Sequence, residues 1–176
     1  YPENITIRKK EKNIEGLDIE KEVTTGKIFY KAQNLSAYKQ EDYSPSLTDF
    51  NPKVLFASKQ FTLEGVSSVV ENWDDFAKWM YHGLIKETHD LPQTTISEIQ
   101  DLVKNETSNI NKTKKIYQYV QDKVRYISVQ VGIGGWKPFN ASEVDRLSYG
   151  DCKGLTNYTM ALLKAANIES NYSVVY

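Results

Sequence analysis

Apolar positions recur with two different periods along the chain. From residue 1 to about residue 70, short segments rich in β-branched and aromatic residues ("NITIRKK", "GKIFYKAQNL", "KVLFASKQFTL") alternate with polar, turn-forming stretches such as "NIEG", "TTG" and "SPSLTDFNP". That is the pattern of a β-rich region. Charges of both signs alternate through "RKKEKNIEGLDIEKE", which reads as solvated strand faces. The stretch from Tyr43 to Pro52 is a long connection without a period of its own.

The period changes at "VENWDDFAKWMYHGLIKE", where Asn72 is placed to cap a helix and Asp74 and Asp75 fall in its first turn. Trp73, Phe76, Ala77, Met80 and Leu84 share one face of that helix. A second helix is expected in "TISEIQDLVKNE", with Ile96, Ile99, Leu102 and Val103 together. A third is expected in "NKTKKIYQYVQDKVRYI", opening at an Asn111 cap and repeating Ile116, Tyr119, Val120, Val124 and Ile127. "YISVQVGIGGWKPFNASEV" reads as an extended, glycine-containing connection. A last helix begins at Asp151 or Cys152 with a stripe of Leu155, Thr159, Leu162 and Ala166, and "ANIESNYSVVY" turns into a strand.

Composition narrows the function classes. A chain of 176 residues, 40% hydrophobic, buries one good core with a smaller appended layer. Twenty-two basic and 23 acidic residues leave a net charge of -1, so no surplus of charge points to nucleic acid or to an anionic membrane surface. No run approaches the roughly 18 apolar residues of a membrane span, and "YPENITIRKK" lacks the apolar core of a secretory signal. A chain opening on Tyr1 reads as a processed or cut product. The single cysteine forms no internal disulfide, and the spacing of cysteine and histidine resembles no metal site.

That cysteine, Cys152, is the one residue that points to chemistry. It stands at the expected helix start, one turn ahead of Leu155, where free N–H groups and the positive end of the helix dipole favour a thiolate and can hold the oxyanion formed when a thiolate attacks a carbonyl. The competing reading is a small buried hydrophobe, the usual state of an unpaired cysteine. Asp151 caps the helix, yet its charge beside the sulfur opposes ionisation. His82 and His89, the two histidines, precede the cysteine in a helix flank and in the loop "KETHDLP".

"YVQDKVRYISVQVGIGGWKPFNASEVDRLSYGDCKGLTNYTMALLKAANIESNYSVVY" resembles the first half of a bacterial transglutaminase-like core. In that family a helix precedes a long loop, and a Gly-Asp-Cys turn opens the nucleophile helix of a papain-like α/β fold. "GKIFYKAQNLSAYKQEDYSPSLTDFNPKVLFAS" and "WDDFAKWMY" are similar to the end of a β-rich domain that accompanies such cores in exported Bacteroidetes proteins. The resemblance implies an α+β fold truncated at both ends: residues 1–70 from the β-rich accessory domain, and 71–176 as the helical N-terminal half of the core.

It further implies that Cys152 is a nucleophile acting on peptide amides or glutamine side chains through a thioester. Trp136, Gln130 and Tyr149 are then candidate oxyanion donors or substrate contacts. The substrate would be a protein or peptide, the location periplasmic or secreted, and no cofactor would be needed. The family's histidine and aspartate lie on strands beyond the one in which this sequence stops, so only Cys152 carries over and the chain by itself is expected to be inactive. A non-catalytic recognition module on the same fold is the alternative.

Overall fold

The computed structural model describes residues 1–39, 41–63, 65–129 and 131–175, and of Ile133 the backbone only. It divides into two compact units, Tyr1–Thr62 with Ser67–Glu71, and Leu63–Val66 with Asn72–Tyr176.

The first unit is built from paired strands. β1 (Ile7–Lys12) runs antiparallel to β4 (Lys53–Ser58), with Ile7 opposite Ser58 and Lys12 opposite Lys53. β2 (Asp18–Thr24) and β3 (Lys27–Gln33) form a hairpin closed by Thr25 and Gly26, whose φ of 72° is open to glycine without strain. Glu11 accepts hydrogen bonds from the ammonium groups of Lys9 and Lys21, both at 2.8 Å, and from the Tyr30 hydroxyl at 2.5 Å. These partners, Lys21 foremost, hold its carboxyl down at about 2.

The mixed charges of the "RKKEKNIEGLDIEKE" stretch do fall largely on exposed strand positions. "KVLFASKQFTL" does not stay one strand. It divides at Lys59, whose N–H bonds the Thr6 carbonyl while its own carbonyl accepts from Val70, giving β4 and then β5 (Gln60–Leu63), which pairs with β6 (Val66–Val69). The connection from Tyr43 to Pro52 contains a single helical turn, α1 (Leu47–Phe50), started by Ser46.

The second unit is helical. α2 (Trp73–Met80) starts where the sequence places it, with the Asn72 side chain accepting from Asp75 N–H at 3.0 Å. It then widens into a π turn over Tyr81–Ile85 and tightens to a 3₁₀ turn over Lys86–Thr88. Of the expected face, Leu84 is buried together with Trp79 and Ile85, Phe76 and Met80 are half-buried, and Trp73 is 83% exposed. α3 (Gln93–Val103) follows as expected. α4 (Asn109–Lys123) opens two residues before the expected Asn111 cap, because Ser108 takes the cap position, and Ile127 lies beyond it, exposed.

Two expectations fail. Part of the stretch read as extended folds into α5 (Ala141–Leu147). Seven residues with two buried apolar positions, Ala141 and Val144, carry too little periodicity to be recognised, and tertiary packing supplies the stability instead. Residues 168–175 form no strand, since no partner strand among the described residues offers them a ladder.

The core gathers Ile99 and Val103 of α3, Ile116 and Val120 of α4, Val144 of α5, and the final helix, α6 (Cys152–Ala165). The buried face of α6 is centred on Asn157, Tyr158, Ala161 and Leu162, while Leu155 and Thr159 of the expected stripe are only half-buried. Asp145 of α5 accepts from Tyr158 at 2.6 Å, Lys123 at 2.6 Å and Thr95 at 2.9 Å, so one carboxylate joins four helices. A single turn of sequence around "NYT" thus sets the depth of α6.

Candidate functional site

The turn that leads into α6 is fixed at every residue. Ser148 ends α5 in the left-handed region, with φ 56° and ψ 33°. Tyr149 and Gly150 form β8, which pairs in parallel with β7 (Arg125–Tyr126) through Arg125 N–H to Ser148 O and Ile127 N–H to Gly150 O, both 3.0 Å. A β-carbon on Gly150 would come within 3.3 Å of Leu155 and 3.4 Å of Val144, so glycine lets the chain pass close under α5.

Asp151, 3% exposed, caps the helix by accepting from Gly154 N–H at 2.9 Å, and its other carboxylate oxygen is paired with the Lys153 ammonium. The negative charge beside the sulfur is therefore already met by a cation. Cys152 is the first residue of α6 and is exposed. The N–H groups of Cys152 and Lys153 have no acceptor within the helix, because the cap engages only the third.

Tyr149, half-buried, stands in the same turn as Cys152. Trp136 follows a 3₁₀ turn over Gly132–Gly135, is 46% exposed, and sets its ring edge against Phe76 at 6.1 Å between centroids. Its loop returns to the turn before α6 through Phe139, which faces Gly154 across a gap that an added β-carbon would close to 3.7 Å. Gln130 lies outside the described residues.

Tyr172, which sequence reasoning did not single out, lines an apolar groove with Trp73, Phe76 and Met80. Burial raises its phenol above the ordinary range. Its only signal in the sequence is an aromatic residue in an apolar stretch.

His89 does not stand at the thiol, and no contact places His82 there. His82 is exposed on the π turn with its ring against Tyr81. His89 lines a groove with Met160, Lys164 and Asn167 at the far end of α6. At the α-helical rise, Lys164 is roughly 18 Å along the axis from Cys152. Burial, and then the Lys164 charge, lower the His89 imidazole below its usual value.

No helix among the described residues is long and apolar enough to cross a membrane. No curated protein matches the chain. Among solved structures, a candidate protease from Parabacteroides distasonis is similar, with a TM-score of 0.58 and 14% identity; the match covers 94% of this chain and 30% of that one. Residues 97–176 match the model of the transglutaminase-like superfamily, from within α3 through the whole of α6. These likenesses and the geometry agree on an α+β fold in which a β-rich region is followed by helices, most of them in the segment similar to the transglutaminase-like superfamily.

Proposed function

We propose that residues 71–176 are the nucleophile-bearing half of a cysteine-dependent acyl-transfer core, and that Cys152 is the nucleophile. The observation that carries this reading is the exposed cysteine on the first residue of a helix whose inner face is sunk in the core, inside the segment that matches the superfamily. A nucleophile needs that combination of a reachable atom on an immobile support.

In this reading the Cys152 thiolate attacks the carbonyl carbon of a peptide or glutamine side-chain amide. The C–S bond forms and the oxyanion rests on N–H groups at the start of α6, with Trp136 as the candidate second donor and Tyr149 and Gln130 as candidate contacts. The C–N bond then breaks. The leaving amine takes a proton from a general acid, and water or a second amine releases the acyl group from the thioester. His82 and His89 are too badly placed to be that acid, so residues 1–176 alone are proposed to be inactive. The substrate is a protein or peptide, and the setting is the periplasm or exterior of a Bacteroidetes cell.

One assay on three proteins tests this reading: residues 1–176, the longest natural form of the chain, and that form with Cys152→Ala. Amide hydrolysis or amine incorporation is expected only from the second. Turnover by residues 1–176 would mean that a base exists within them. Inactivity of the long form on varied amides would favour the non-catalytic recognition module.

A further inference from the structure

At the far end of α6 from Cys152, a groove of about 640 Å³ is lined by Lys164, Asn167, Glu169 and Asn171 together with Tyr81 and His89. That is the volume of a small-molecule site. The Nε2 atom of His89 is buried and has no hydrogen-bond partner among the described residues. Lys164 is exposed and forms no ion pair among the described residues, although Glu169 lines the same groove. The two basic groups are close enough for the Lys164 charge to help hold the imidazole neutral. A buried nitrogen without a partner is costly, and beside an unpaired ammonium both would be satisfied by one anionic group that brings an oxygen to each.

The negative groups nearby are largely taken. The last carbonyls of α6, which would favour a cation, are met from within: Leu162, Leu163 and Lys164 accept from the N–H groups of Ala166, Ile168 and Asn167, and Ala165 accepts from the Gln100 amide. Asp90, next to His89 in the chain, accepts from the Ser142 hydroxyl. The side-chain amides of Asn167 and Asn171 have no hydrogen bonds among the described residues and offer further donors. Charge then selects the anion. Lys164 and Glu169 cancel, so protonation of the ring leaves one positive charge, which a monoanion balances and a dianion overshoots.

We infer that this groove is a second binding site, separate from Cys152, and that it takes a singly charged carboxylate on the Lys164 ammonium and the His89 imidazole. The site is independent of the acyl-transfer chemistry proposed for Cys152 and stands or falls without it. Its test follows the imidazole C–H resonances of residues 1–176 by NMR from about pH 4.5 to about pH 8, with His82→Asn to assign the two histidines. N-acetylglycine, a carboxylate, should move the His89 midpoint up by about 1, saturably, and leave His82 where it is. By reciprocity N-acetylglycine binds the protonated ring about tenfold more tightly than the neutral one.

N-acetylglycinamide, which has the same skeleton without the charge, should move neither histidine, and sulfate, a dianion, should act more weakly than N-acetylglycine at equal ionic strength. Lys164→Met removes the repelling charge, so the starting His89 midpoint should rise and N-acetylglycine should then add nothing. Glu169→Gln should let sulfate act as N-acetylglycine does. Lys164 and Glu169 are both exposed, so neither change threatens the fold. The inference is overturned if N-acetylglycine leaves His89 unmoved, if His82 moves in parallel, or if Lys164→Met keeps the full response. It is overturned equally if sulfate matches N-acetylglycine on the unaltered protein, or if Glu169→Gln still excludes sulfate.

Discussion

Tyr158 donates its hydroxyl to Asp145 at 2.6 Å, joining the centre of α6 to α5 beneath the turn that presents Cys152. The phenol is 0% exposed. Burial, followed by the bond to the carboxylate, holds its proton far above the ordinary range, so it remains a donor under all working conditions. Burial acts to raise Asp145 as well, but the hydrogen bonds from Lys123, Tyr158 and Thr95 outweigh it and keep that carboxyl below its usual value.

Replacing Asp145 with asparagine keeps the shape and removes the charge that Lys123 faces. The expected loss is about 1.5–3 kcal/mol, the range for hydrogen bonds to a charged group, read as a lower midpoint in urea. A folded-state carboxyl below the unfolded value of about 3.9 contributes stability in full above that pH and loses it as the pH falls further. The wild type should therefore show a steep acid transition below about pH 4 that is shallower in the variant. Equal acid slopes in the two proteins would contradict the role given to this carboxylate.

His89 acts in a different pH window. Its imidazole is depressed in the folded chain, so folding favours the neutral ring. Its contribution is complete above the unfolded value of about 6.5 and is lost as the pH falls through the lower folded one. Thermal unfolding midpoints should decline on going from about pH 7 to about pH 5, and His89→Asn should flatten that decline. An undiminished decline in the variant would assign it to other groups.

Cys152 should react with a small alkylating reagent in the native protein, at one equivalent per chain, without denaturant. Its exposure at the start of α6 leaves no layer to open first. Modification seen only after unfolding would return it to the class of inert buried cysteines.

Gly83 lies in the π turn, and a β-carbon there would come within 2.5 Å of Val66 Cγ1. Valine is stiff at χ1 and cannot swing aside cheaply. Gly83→Ala is expected to cost about 1–3 kcal/mol, the usual range for overpacking, and Gly83→Ala with Val66→Ala should recover much of it. A neutral single variant would show that the hairpin tip yields freely.

Where local chemistry fixes an element, the sequence announces it. Asn72 and Asp151 both bond the N–H three residues on, and both helix starts can be read from the residues alone. What could not be read depends on contacts distant along the chain. α5 is held by an aspartate whose partners, Thr95, Lys123 and Tyr158, come from three other helices. Leu162 and Ala166 of the expected α6 stripe are buried, but Asn157 and Tyr158, polar by type, lie as deep and were not legible, because their polar atoms find partners that only the tertiary fold brings near. Trp136 was visible as a donor, but its neighbour Phe76, 60 residues earlier, was not.

The four residues from Ser148 to Asp151 leave no slack. The first is bent left-handed, the next two are bonded to β7, and the last is sealed under the helix. One residue added here would turn all of α6 by about 100° relative to its present seat, or else break the β7–β8 pairing. Cys152 would then leave the surface it occupies while the deep tyrosine swung out of the core. A change of length at the entrance to α6 should therefore cost reactivity and folding together.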